Sequence, residues 1–417
     1  MPDRQWDALL VCAAIYLLMA VGRVHQLFPV VNLVRPAILA GAGAILLYLV
    51  DKRTDRRLEL VLTTPMQWLL AFLGWMTLSM MAALVITNSF ELVINNFMKT
   101  VIMSFVIAGA VRGVRDVERM ALAYFASATI YATVVLLMFS ASGYGSDAGR
   151  LGDLFYYDAN DFATFVVTAM PLGLYFLHGS RTKIGQMLAM GSLGILTLAF
   201  VKSGSRGGFI AALAVGVLVI GKYSAVKVRW RLAAVALVTV VIVGTATTQY
   251  WERMGTILSE SDYNRTNDSG RFKIWARGMG YMAMFPVLGV GPANFPTAEG
   301  TLSELAARQR FGLRWNAAHN SYVQVGAESG FIGLGIFVMM LAATFAAVRS
   351  VRRRAKAKAD KRMRELAQAL TGALLGFAVG AFFLSLAYSE MLYALIAMIV
   401  GLHKVARLTL PHTRPQS

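Results

Sequence analysis

Long apolar runs broken by short polar or basic stretches dominate the chain. A helix that crosses a bilayer needs about 20 mostly apolar residues. Runs of that kind predict twelve spans, near 7–22, 36–50, 66–87, 90–111, 117–139, 161–178, 183–202, 207–221, 230–248, 319–348, 366–388 and 390–404. Between the first two, VHQLFPVVNLVR at 24–35 is apolar but carries Pro29 and Asn32. It reads as a re-entrant or interfacial segment. The start of the chain reads as the first of many spans rather than a cleaved signal. The expected fold is therefore an all-α polytopic membrane protein. Its parts are helices 1–9 in 1–248, an outer loop in 249–318, and helices 10–12 with a short tail in 319–417.

Charge fixes the orientation. Cytoplasmic segments carry an excess of Lys and Arg. With both termini in the cytoplasm, the inside segments hold 26 basic residues and the short outside segments hold 5. The long outer loop holds 8, and Lys99 falls within a span. The whole chain carries 40 Lys+Arg against 22 Asp+Glu, a net +18, with a mean hydropathy of +0.59. In a soluble protein such a surplus suggests nucleic acid. Here it is absorbed by basic cytoplasmic loops, and no nucleic-acid partner is expected. Hydrophobic residues at 57% and charged residues at 15% exclude a cytosolic enzyme and a disordered regulator. The single cysteine, Cys12, excludes an intrachain disulfide and a cysteine-based metal site. The basic run at 351–365 reads as a solvated connector touching anionic lipid.

Candidate chemistry gathers on the outer face, where arginines run against the charge bias. SGSRGGFIA at 203–211 places Arg206 and three glycines at the start of an apolar helix. Free N–H groups and the helix dipole favour anions there, and an Arg binds phosphate through two parallel hydrogen bonds. A tight turn with a snorkelling Arg is the alternative. In the outer loop, Arg271 and Trp275 are i,i+4 neighbours, as are Lys273 and Arg277, if 271–285 is helical. Pro286 would end that helix. An ordinary surface helix is the plainer reading. A second amphipathic helix is expected at 302–311. His319 and Asn320 stand at the outer mouth of the tenth span, where the dipole favours a neutral imidazole, as a general base requires; a purely structural histidine at the membrane interface is the plainer alternative. Glu328 lies deeper in that span, where a carboxylate needs a partner. Arg150, Asn160 and Lys99 complete the rim. Lys99 is expected to meet a phosphate, Glu91 or Glu328. There is no HExxH and no His/Cys cluster with ligand spacing, so neither a metal nor another cofactor is expected.

Three segments in sequence order carry a resemblance: SGSRGGFIA at 203–211, GRxxxW at 270–275 followed by PVLGVGPANF, and HNSYVQVGAESGFIG at 319–333. With a weaker match from Arg150 to Asn160, they resemble the O-antigen ligase/polymerase superfamily of bacterial envelope enzymes. That resemblance implies a helical glycosyltransferase of the multispan C type with a large periplasmic loop. It implies transfer of a glycan from undecaprenyl diphosphate, with inversion, at the periplasmic face of the inner membrane. By position, Arg206 and Arg271 would bind the diphosphate and His319 would accept the acceptor's proton. Arg150, Asn160, Lys99, Arg277 and Asn320 would contact substrate. The expected function is O-antigen ligase, with lipid A–core oligosaccharide as acceptor and membrane lipids as surroundings. An O-linked oligosaccharyltransferase acting on protein and an O-antigen polymerase are the alternatives within the superfamily. A transporter is the alternative outside it. Nothing in the sequence sets the oligomeric state.

Overall fold

A computed structural model describes residues 5–138, 141–142, 150–151, 157–222, 228–246, 248–255, 267–304, 306 and 315–410. Each of the twelve apolar intervals contains a helix, and the protein is a polytopic helical membrane protein. Among the described residues, seven helices are long and apolar enough to span a bilayer: Ile86–Ala110, Val114–Met138, Ala159–Gly179, Lys183–Ser203, Ser321–Ala357, Lys361–Phe383 and Glu390–Thr409. Ala8–Val21 and Pro36–Val50 are apolar but shorter. The 24–35 segment forms two short helices, Val24–Leu27 and Pro29–Leu33, with Val30 and Leu33 exposed. The described non-helical pairing is one antiparallel contact of 141–142 with 150–151.

Polar caps set the helix starts. Asp7, Asp158, Thr182, Asn320, Asp360 and Ser389 each accept a backbone N–H in the first turn. Such caps satisfy donors that the helix leaves without partners. Two predicted spans end earlier than hydropathy suggests. The third helix stops at Met80, and the eleventh stops at Gly380 before a 3-10 turn, Ala381–Phe383. The tenth, Ser321–Ala357, runs well past its apolar stretch, so part of the expected basic connector is helix.

The most enclosed helix is Glu390–Thr409, packed against Met98–Ala110, Ser321–Ala357 and Lys361–Gly380. A second packing unit positions the site. Gly372, Gly376 and Gly380 lie four residues apart on one face of the Lys361–Gly380 helix. A Cβ on each would come within 3.0 Å of Pro171, 3.2 Å of Val167 and 2.6 Å of Thr164. Small residues at that spacing let two helices approach closely. The Lys361–Gly380 and Ala159–Gly179 helices are thereby clamped, and their ends at Gly380 and Asp158 reach the same end of the bundle. Away from that end, Asp7 accepts from Arg56 at 2.7 Å and Arg112 at 2.9 Å, and buried Lys404 donates to the carbonyls of Asp55 and Gly109.

Candidate functional site

The turn after Gly380 collects the three sequence motifs. The chain leaves the 3-10 turn in an extended conformation at Leu384. Gly207 faces Phe383 so closely that a Cβ there would lie 2.7 Å from the Phe383 Cβ. Trp275 packs edge-on against Phe382, with ring centroids 5.4 Å apart, and lies 6.5 Å from Phe383. Ser321 Oγ donates to the Leu384 carbonyl at 2.7 Å and accepts from Leu386 N at 2.8 Å. The His319 N–H donates to Ser385 Oγ at 2.9 Å. Residues distant in sequence thus share one platform.

His319 stands one residue before the cap of its helix, in left-handed backbone (φ 47). Asn320 holds that geometry: its Oδ1 accepts from Tyr322 N at 2.9 Å and Val323 N at 3.1 Å. Trp275 Nε1 donates to the neighbouring Ala318 carbonyl at 3.0 Å. The imidazole is half-buried. Desolvation, and then the Arg271 guanidinium nearby, hold its pKa below the usual histidine range, while Asp158 pulls the other way. Burial and Arg271, rather than a helix terminus, are the main causes of the lowering. Asp158 is half committed, its Oδ1 capping Asn160 N at 2.6 Å and Asp161 N at 2.8 Å.

The two other principal candidates open helices. Gly204 takes the left-handed conformation (φ 58) that turns the chain, and Arg206 begins the helix Arg206–Lys222. Ser205 Oγ accepts from Gly208 N at 3.1 Å, so one N–H of that first turn is already used. Arg206 is half-buried and has an interaction of its own. Arg271 begins Arg271–Met284, the helix expected at 271–285, which ends ahead of Pro286. Its charge reaches His319 and Asp161. Trp275, one turn on, turns the same face to the platform.

Other expected site residues have different surroundings. Arg277 points away, donating from Nε and Nη2 to the buried carboxylate of Glu299 at 2.8 and 2.5 Å. Its Nη1 donates to the Asp268 carbonyl at 2.9 Å, and Tyr281 OH also reaches Glu299, at 2.8 Å. This engages Arg277 in fixing the outer segment. Lys273 pairs with Asp268 at 2.8 Å. Lys99 is exposed, and its expected protein partners are engaged by others: Asn95 donates to Glu91, and Glu328 accepts from Tyr388 OH at 2.7 Å and Phe295 N at 3.2 Å. Asn160 lies in the first turn after Asp158, half-buried. The Arg150 backbone pairs with Ser142, and its side chain lies outside the described residues. Most of the expected 302–311 helix is also outside them.

PVLGVGPANF, which follows the Arg271 helix, forms scaffold. The long Ser321–Ala357 helix breaks at Gly330 (φ 72, ψ −176), and this segment pairs with the break. Phe331 N donates to the Pro286 carbonyl at 2.9 Å, and Val290 N donates to the Ala327 carbonyl at 2.9 Å. Asn294 stitches the other side to Val85, donating to its carbonyl and accepting from its N–H at 3.0 Å. The sequence reading missed Ser385 and its turn, and also Glu299. A polar break in AFFLSLAYSE was the available signal for the turn. Among the described residues, no three His, Cys, Asp or Glu side chains are grouped as metal ligands.

Residues 191–338 match the family model described as O-antigen ligase, which supports membership of the O-antigen ligase/polymerase superfamily. The matched stretch contains Arg206, Arg271, Arg277, His319 and Asn320. It ends before the turn that meets Gly207, Trp275, His319 and Ser321. No curated protein sequence matches the chain.

Proposed function

We propose, on the strength of that family match, that the protein is an O-antigen ligase. In this reading it moves a glycan from undecaprenyl diphosphate to lipid A–core oligosaccharide at the periplasmic face of the bacterial inner membrane. All twelve apolar helices cross the bilayer, both termini are cytoplasmic, and residues 249–318 are periplasmic. The observation that carries the reading is His319, pinned through its backbone to Ser385 and standing within the field of Arg271.

The chemistry follows from those groups. The acceptor hydroxyl oxygen bonds to the anomeric carbon of the donor glycan, and its proton passes to the neutral His319 imidazole. The anomeric carbon–oxygen bond to the diphosphate breaks with its electron pair, and the configuration inverts. Negative charge grows on the departing diphosphate. Arg206 and Arg271 meet it with fixed cations, an interaction that strengthens as the bond breaks. General-base catalysis by a positioned His contributes roughly 10²–10⁴-fold. Asn320 sets the backbone that carries the base. Arg150, Asn160 and Lys99 are assigned to the approaching glycan and diphosphate, Arg277 to the shape of the loop above.

The test uses the full chain in detergent with undecaprenyl-diphosphate glycan, no added metal or ATP, and either lipid A–core or an acceptor protein. Slower-migrating lipopolysaccharide, absent with His319→Ala, supports the ligase and its base together. Glycan on protein would move the assignment to an oligosaccharyltransferase. Elongated lipid-linked glycan would move it to a polymerase. Full transfer by a well-expressed His319→Ala protein would remove the general-base role.

A further inference from the structure

The other end of the bundle holds a second concave site. The Ala159–Gly179 helix begins beside Asp158 and has 21 residues. At 1.5 Å per residue, its far end lies about 30 Å from the His319 platform. There, a cavity of about 920 Å³ opens between that helix and the helices Val114–Met138, Lys183–Ser203 and Lys361–Gly380.

Its lining is divided by chemistry. Arg115, Arg181, Lys361 and Arg362 stand at the mouth with two carboxylates, Glu118 and Glu365. Glu118 accepts from both Arg362 and Tyr175, and Glu365 lies 3.7 Å from Lys361. Four cations facing two carboxylates leave the mouth at net +2. Farther along the Val114–Met138 and Lys183–Ser203 helices the wall is apolar, made by Leu122, Phe125, Ile130 and Leu188. Leu122 and Leu188 are 47% and 68% exposed on two helices suited to crossing the bilayer, so this wall continues onto the hydrocarbon-facing surface. A soluble anion would match the mouth and leave the wall unused. A cavity near 1,000 Å³ is large enough to enclose most of a drug-sized molecule, which suits a headgroup and part of one acyl chain.

We propose that this cavity binds an anionic glycerophospholipid, with the headgroup phosphate among the mouth cations and an acyl chain along the Leu122–Leu188 wall. Basic pockets between spanning helices are suited to such headgroups. The site is separate from the His319 platform and does not depend on the transfer reaction.

Native mass spectrometry of the full chain in detergent tests it, with phosphatidylglycerol, phosphatidylcholine of matched chains, or inorganic phosphate added. The unaltered protein should retain phosphatidylglycerol over phosphatidylcholine by about fivefold or more, the weight of one basic side chain at an anionic lipid surface. Arg181 and Lys361 are exposed, so R181Q/K361Q should fold normally and lose the preference. S192W, which projects an indole into the cavity, should lose phosphatidylglycerol with every charge kept. Equal retention of the two lipids by the unaltered protein would overturn the proposal. So would an undiminished preference in both variants, or displacement of the lipid by equimolar phosphate.

Discussion

The backbone N–H of His319 donates to Ser385 Oγ at 2.9 Å, joining residues on either side of two long helices. The bond fixes where the imidazole begins, since His319 occupies a left-handed conformation uncommon for a side-chain-bearing residue. Replacing Ser385 with Ala removes the acceptor without adding bulk. A hydrogen bond of this kind contributes about 0.5–1.5 kcal/mol. Ser385→Ala should lower the transfer rate severalfold and leave membrane insertion intact. An unchanged rate in a detergent assay would show that the tether is dispensable.

His319→Ala should lower transfer by roughly 10²–10⁴-fold while the protein accumulates normally. Arg206→Ala and Arg271→Ala should be comparably severe, since in the proposed reaction either would leave growing diphosphate charge without its cation. Steady-state rates on membranes with matched protein levels would check all three.

The pH profile has a definite direction. A general base works when neutral, and His319 has a lowered pKa from burial and from Arg271. Transfer should therefore be near its plateau at neutral pH and fall as acid protonates the imidazole. Asp158 is the group that raises this pKa. Asp158→Asn keeps a competent helix cap and removes the carboxylate charge, so the acid limb should move to lower pH. Movement to higher pH, read from initial rates across a buffer series, would contradict the arrangement.

Arg277 and Glu299 form a pair with Glu299 almost wholly buried. Breaking such a pair from one side costs about 3–5 kcal/mol, because a buried charge is left alone. Arg277→Ala should lower the thermal midpoint strongly, and Arg277→Ala/Glu299→Gln should recover part of the loss. If Arg277→Ala reduced transfer without thermal loss, the residue would belong to the substrate site instead.

Gly330 has φ 72 and ψ −176, a region nearly closed to other residues. A Cβ there would lie 2.2 Å from the Val287 carbonyl oxygen, which belongs to backbone that has no room to yield. Gly330→Ala should deplete folded protein from the membrane, as measured by fluorescence size-exclusion chromatography. A normal elution peak would refute the tight seat.

The helices were legible because a bilayer demands long apolar runs: each of the predicted runs contains a helix, and among the described residues seven helices are long and apolar enough to span. Their ends were less so. AFFLSLAY is apolar enough to read as continued span through 388, yet Gly380 ends the helix and the next nine residues build the platform. Hydropathy has no term for a turn lined by Phe. The arginines show a second limit. Arg271 and Arg277 are six positions apart, about 240° around a helix at 3.6 residues per turn, so they face different sides. Spacing alone separates them. Choosing which side meets the site required Phe382 and Phe383, more than a hundred residues on. Glu328 was expected to be paired or functional, and it is paired, with partners invisible before folding.

The platform also sets an order of events. A ribosome delivers Arg206, Arg271 and His319 to the membrane well before it delivers Phe383 and Ser385. Until the final helix pair docks, the earlier motifs have no common seat, and a nascent chain holding every charged group of the candidate site should be inert toward lipid-linked glycan. Competence would arrive late and all at once, with the last glycine-lined helix closing against Pro171, Val167 and Thr164. Prematurely released chains would then be silent bystanders in the bilayer rather than enzymes with loosened control.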